Sequence, residues 1–200
     1  MLSRKVDDSR SLLVRIVLMR HGRPDVPELG NLRMSEFHQW IALYNSAGLR
    51  SDHMPSKAAI EIANNCDAVV CSDLPRSVES TRALGVKEVD CIDAMFREMG
   101  LPYSSFPSPK LPPMAWVALF RVFFFLGYSS NGESFDEAKL RALHGSINLK
   151  KIAADRGSVL LVGHGFINKF IAKEFLSSGW QGPSNPGTRY WEFGVYEYAT

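Results

Sequence analysis

Short, unbroken apolar runs alternate along this chain with longer segments in which apolar residues recur every three or four positions. The runs cover 12–19, 68–72 and 158–162 and are closed by polar or turn-forming residues. They are too short for helices, and their aliphatic and β-branched make-up predicts strands covered on both faces. Phe37, Trp40, Ile41 and Tyr44 stand at helical spacing and predict a helix over 36–45 with Ser35 as its cap. Ser56 caps a second predicted helix over 57–65, and Leu74-Pro75 opens a third that reaches residue 84. Further helices are predicted over 114–126, 134–154 and 166–176 and a further strand over 88–96. A Gly/Pro/Ser/Asn-rich loop at 177–187 leads into a last strand over 190–198, where apolar and polar residues alternate.

Strands alternating with helices define an α/β class with a mainly parallel sheet and an antiparallel strand near the end. The 200 residues make one domain at about 150 residues per domain. Residues 1–10 are polar and are expected as a loose arm. The stretch 100–131 holds prolines at 102, 107, 109, 112 and 113 followed by the most apolar segment of the chain, and reads as an inserted lid.

Charge narrows the range of partners. Lys and Arg number 23 against 21 Asp and Glu, a balance unsuited to nucleic acid, so a small molecule is the expected ligand. Three cysteines without a CxxC spacing point to a reducing, cytoplasmic compartment and away from a Cys-based metal site. The run at 12–19 is interrupted by Arg15 and followed by Arg20 and His21, unlike a signal peptide. The run at 114–128 falls short of the roughly 20 residues that span a bilayer, so no membrane association is expected.

In open α/β sheets ligands bind beyond the carboxyl ends of the strands. Three such ends carry Arg20-His21-Gly22, Ser72-Asp73-Leu74-Pro75-Arg76 and Gly163-His164-Gly165. Paired guanidinium groups suit phosphate oxygens, and histidine offers a nucleophilic or proton-transferring nitrogen near neutral pH. The glycines beside both histidines would let a ligand approach the backbone.

Leu18-Met19-Arg20-His21-Gly22, Cys71-Ser72-Asp73-Leu74-Pro75-Arg76-Ser77, Phe96-Arg97-Glu98 and Val162-Gly163-His164-Gly165 together resemble the histidine phosphatase superfamily, the phosphoglycerate mutase-like proteins. Asn131-Gly132-Glu133-Ser134 is similar to a further segment of many members. The resemblance spans Val14 to about Phe175 and implies a three-layer α/β/α sandwich. It also implies metal-free phosphoryl transfer on a small phosphate monoester, with no cofactor. His21 would form the phosphohistidine, Arg20 and Arg76 would hold the phosphoryl oxygens, and His164 would donate to them in the transition state. Glu98 would protonate the leaving oxygen and then activate water.

Departures from the mutase pattern favour hydrolysis over mutase chemistry: Arg23-Pro24-Asp25-Val26 follows the first motif, and Arg97-Glu98-Met99-Gly100 replaces the Glu-Arg pair. A mutase and a non-catalytic phosphate-binding module are the alternatives. Arg23 becomes an additional candidate for phosphate binding, with an ion pair to Asp25 as its structural reading. Ser72 is a candidate for a phosphate contact through its hydroxyl; otherwise it caps the helix after Pro75. Glu133 is the second choice for the carboxyl role. His144-Gly145 repeats the dipeptide inside a predicted helix and reads as a decoy, while His38 and His53 are expected to be solvated. Phe120 and Phe124 are expected to line the mouth of the site and to favour an apolar or aromatic monoester. The terminal strand and the apolar insertion could each bury against a second copy in a homodimer or pack within the monomer.

Overall fold

The first strand, β1 (Leu13–Arg20), runs near the middle of a five-stranded sheet in the computed structural model, which describes residues 13–199. The expected arm at 1–10 lies outside the described residues. Along the chain follow α1 (Phe37–Ser46), α2 (Lys57–Asn64), β2 (Ala68–Cys71), α3 (Pro75–Ala83), β3 (Cys91–Ile92), α4 (Pro113–Phe125), α5 (Phe135–Arg156), β4 (Ser158–Gly163), α6 (Gly165–Ser177) and β5 (Phe193–Ala199). The strand order is β3-β2-β4-β1-β5, parallel except for β5.

Alternation within β1 divides the core. Val14, Ile16 and Leu18 pack with α5 and α6 residues such as Ala142, Leu149, Ile171 and Phe175. Val17 and Met19 face the other way, toward Ala59 and Ala63 of α2 and Leu84. Helices thus cover both faces of the sheet in a three-layer α/β/α arrangement. A third cluster, Leu32, Phe37, Trp40, Trp116 and Phe120, joins α1 to α4 beyond the sheet. There Phe37 stacks on Phe120 with centroids 5.2 Å apart, and Trp116 Nε1 donates to the Leu32 carbonyl at 2.8 Å. No helix of the described residues is long and apolar enough to cross a membrane.

Three local predictions are corrected. The strand expected over 88–96 shrinks to Cys91–Ile92, followed by a 3₁₀ turn at Ala94–Phe96. Aspartates compete with the ladder here: Asp90 accepts from the Val69 amide at 2.8 Å and Asp93 from that of Met95 at 2.7 Å. Ser35 does not cap α1, because a 3₁₀ turn at Met34–Glu36 comes first and Glu36 accepts from the Arg33 amide at 2.6 Å. The last strand begins at Phe193 rather than at 190, since Trp191 takes a left-handed conformation, φ 68°. Ser56 caps α2 as expected, accepting from the Ala59 amide at 3.2 Å.

Candidate active site

Strand register brings the motifs together. Arg20 of β1 pairs with Gly163 of β4, and Cys71 of β2 pairs with Val162, so three strands end nearly level. The His21 amide donates to the Gly163 carbonyl at 3.0 Å and that of Ser72 to Val162 at 3.2 Å. The residues that follow must therefore share one rim. His21 and His164 meet there edge to face, with ring centroids 4.8 Å apart.

Both imidazoles are out of water, at 2% and 0% exposure. Burial pushes the His21 pKa down to about 3, with Arg76 adding to the effect, and holds His164 well below its usual value. Neutral rings at physiological pH follow. Nδ1 of His21 lies 2.6 Å from the Gly22 carbonyl, an acceptor only, so that nitrogen carries the proton. Nε2 keeps its lone pair and lies 3.3 Å from Nε of Arg76. Nε2 of His164 lies 3.4 Å from the Ser77 hydroxyl at the start of α3, and its buried Nδ1 has no partner among the described residues.

Arg76 is 1% exposed, yet among the described residues neither it nor Arg20 has a carboxylate within salt-bridge distance. Its guanidinium lies over the Tyr44 ring at 4.6 Å and donates to the Tyr44 carbonyl at 2.8 Å. Arg20 lies over the Tyr190 ring at 4.5 Å and donates to the Thr188 carbonyl, while its Nε is buried without a partner. Two cations on aromatic faces without counter-charges form a ready anion site. Tyr44 and Tyr190 carry no motif; they reach the site because α1 and the loop before β5 fold over it.

Glu98 joins them. A Cβ placed on Gly165 would lie 3.7 Å from its Oε2 and 3.8 Å from Arg20 Nε, so both groups border one point. The carboxylate accepts from the amides of Phe166 (3.1 Å), Ile167 (3.0 Å) and Met99 (3.0 Å), anchored at the N-terminus of α6. Arg97 does not pair with it, forming a bidentate bridge to Asp73 instead at 2.7 and 2.5 Å. Glu133, the second choice for the carboxyl role, is bound bidentately by Arg141 at 2.7 and 2.8 Å. Arg141 also donates to the carbonyls of Met95, Arg97 and Glu98, which clamps the segment that carries Glu98.

Arg20, Arg76 and Glu98 open on a cavity of about 460 Å³, lined also by Trp40, Ile41 and Tyr44 of α1 and by Met114, Val117 and Arg121 of α4, whereas His21 and His164 lie beneath it, outside the lining. Phe120 and Phe124 are not among its walls, contrary to expectation: at 1% and 0% exposure they face the core, and the cavity takes the adjoining face of the helix. A helix that is apolar all round does not announce which side faces a ligand. Ser72 is fully buried, lies outside the lining and does not cap α3 as its alternative reading had it: the N-cap is Leu74, whose amide donates to the Ser72 hydroxyl at 3.4 Å. Arg23 is exposed, makes no ion pair with Asp25 among the described residues and also lies outside it.

His53 is half-buried rather than solvated, and Nε1 of Trp191 lies 3.0 Å from its Nδ1. His38 and His144 are exposed. Gly22 does not make room for a ligand: a Cβ there would lie 2.2 Å from Trp191 Cζ2 and 2.5 Å from Leu49 Cδ1, so its role is close packing. Among the described residues no group of three or more His, Cys, Asp or Glu side chains is placed to hold a metal ion.

Two outcomes follow from this geometry. Arg141→Met leaves the Glu133 carboxylate with only the Gly100 amide and takes a donor from three carbonyls, and is expected to lower unfolding free energy by about 2–4 kcal/mol. Urea denaturation checks this, and a loss below about 1 kcal/mol would mean that the clamp is dispensable. The second concerns pH. The unfolded chain binds a proton at His21 below its ordinary value of 6.5, whereas the folded protein stays neutral there to about 3. Stability therefore falls as pH drops below 6.5, with His21 alone accounting for about 2 kcal/mol between pH 7 and pH 5. His21→Asn should flatten that slope in denaturation curves at the two pH values; parallel curves would contradict it.

The strand order, the three layers and the paired histidines define a phosphoglycerate mutase-like fold. Among solved structures, a phosphoglycerate mutase from Bacillus anthracis superposes with a TM-score of 0.60 at 14% identity, covering 94% of this chain and 89% of that one. The product of an open reading frame of Mycobacterium tuberculosis gives 0.59 at 15% identity, covering 94% and 95%. A mycobacterial glucosyl-3-phosphoglycerate phosphatase gives 0.58 at 19% identity, covering 92% and 90%. At these identities the likeness is one of fold. No protein-family model matches the sequence, and the search of curated proteins returns no match.

Proposed function

We propose that the protein is a phosphoric monoester hydrolase that works without a metal through a phosphohistidine at His21. The observation that carries this reading is a buried neutral imidazole whose Nε2 accepts at 3.3 Å from Nε of Arg76, a buried guanidinium with no carboxylate within salt-bridge distance among the described residues. In the first step Nε2 bonds to phosphorus as the ester P–O bond breaks. Arg20 and Arg76 take the equatorial oxygens, where the charge of the transition state is spread. His164, packed edge-on against His21, donates to the same group.

The leaving oxygen takes its proton from Glu98. Water then attacks phosphorus, returns a proton to Glu98 and releases inorganic phosphate as the N–P bond breaks. Residues 100–131 act as a cover that keeps bulk water from the intermediate. The phosphatases among the structural neighbours support this reading at the level of fold.

Hydrolysis of an aryl phosphate by the wild type and Glu98→Gln, each with EDTA, tests it. The expected result is turnover unaffected by chelator and a loss of about 10²–10³-fold in the variant. Loss on chelation would overturn the metal-free scheme. Transfer of phosphate between positions of a bisphosphorylated substrate would indicate a mutase, and phosphate binding without turnover on a broad ester panel a recognition module.

A further inference from the structure

The cavity is divided by chemistry. Its floor holds Arg20, Arg76 and Glu98, and its upper walls are Trp40, Ile41 and Tyr44 from one side and Met114 and Val117 from the other. Trp40 stacks on Tyr44 at 5.2 Å, so α1 presents a continuous aromatic surface. Met114 and Val117, one helical turn apart, face the same space.

Three polar side chains of the lining are already engaged, while the Asn45 amide and the Tyr44, Tyr103 and Tyr190 hydroxyls make no hydrogen bond among the described residues. Arg97 is bound bidentately by Asp73. Arg121 lies over the Phe166 ring at 4.4 Å and donates to the carbonyls of Met99 at 3.1 Å and Gly100 at 3.3 Å. Asn131 donates to the Tyr103 carbonyl at 3.2 Å. A polyol set against Ile41, Met114 and Val117 would lose water from its hydroxyls without a partner on those side chains, whereas an apolar group there would lose only unfavourable hydration.

Resting on the hydrolase reading, we infer that the alcohol part of the substrate is an apolar or aromatic group seated between Ile41 and Tyr44 on α1 and Met114 and Val117 on α4. The anion site fixes the phosphoryl group and α4 selects what is attached to it. Specificity thus resides on the face of α4 that adjoins its buried aromatic residues.

The test compares two primary-alcohol esters, 2-phenylethyl phosphate and glycerol 3-phosphate, whose leaving groups have similar basicity. It is paired with calorimetric binding of the inert analogues 2-phenylethylphosphonate and 2-hydroxyethylphosphonate. The wild type is expected to favour the phenylethyl member by about 30–100-fold in both kcat/KM and Kd, the worth of burying one aromatic ring. Met114→Gln/Val117→Thr, a shape-conserving pair at the partly exposed wall, should reduce that ratio to about threefold or less, chiefly through KM. Equal binding of the two phosphonates by the wild type would overturn the inference. So would a ratio undiminished in the double variant. If neither phosphonate binds, the anion site fails and the inference with it. If the phenylethyl phosphonate is preferred but no ester is hydrolysed, the recognition stands and the hydrolase reading falls.

Discussion

His21→Asn is expected to lower kcat for phosphate ester hydrolysis by at least about 10⁴-fold, because it removes the nitrogen proposed to form the covalent intermediate. The imidazole has its proton on Nδ1, 2.6 Å from the Gly22 carbonyl, and burial keeps it neutral to about pH 3. Asparagine keeps a donor for that carbonyl and removes only the nucleophilic nitrogen. Arg20 and Arg76 remain, so phosphate should still stabilise the variant in thermal melts. Rapid quenching of the wild type with labelled ester should trap an acid-labile, base-stable phosphoenzyme that is absent from the variant. A variant retaining more than about 1% of activity, or a phosphoenzyme still formed, would place the nucleophile elsewhere.

Arg76→Met separates activity from stability. The guanidinium is 1% exposed, has no carboxylate partner among the described residues, and its pKa is lowered by burial. Methionine removes the cost of burying that charge, which offsets the donor lost by the Tyr44 carbonyl, 2.8 Å away. The unfolding free energy should change by no more than about 1 kcal/mol, while kcat/KM falls by about 10³-fold. Saturating inorganic phosphate, at about 100 times Kd, should stabilise the wild type by about 2.7 kcal/mol and leave Arg76→Met unmoved. A structural arginine would show the reverse: a large loss of stability with the phosphate response intact.

The comparison of these two side chains with Phe120 and Phe124 shows what kind of information each level holds. His21, Arg76 and His164 were legible because a strand end is a local feature: an apolar run stops, and the next residues must stand on the rim. Register then made the proximity exact in kind, since Arg20 pairs with Gly163 and Cys71 with Val162. Glu98 was legible by motif, but its anchoring by the amides of Phe166 and Ile167 was not, because it joins segments 68 and 69 residues apart. Nor was the part played by Arg141, an ordinary helical arginine until the Met95–Glu98 carbonyls turn toward it.

By itself the sequence determined the α/β class, the strand ends and the residues collected there, because hydrophobic period and motif position are properties of neighbouring residues. Only the tertiary structure decided which face of α4 meets the cavity, why the 88–96 segment is mostly turn, and that Tyr44 and Tyr190 lie against the two arginines. Those outcomes depend on what each residue packs against. An apolar helix has many equivalent faces until Phe37, Trp40 and Trp116 take one of them.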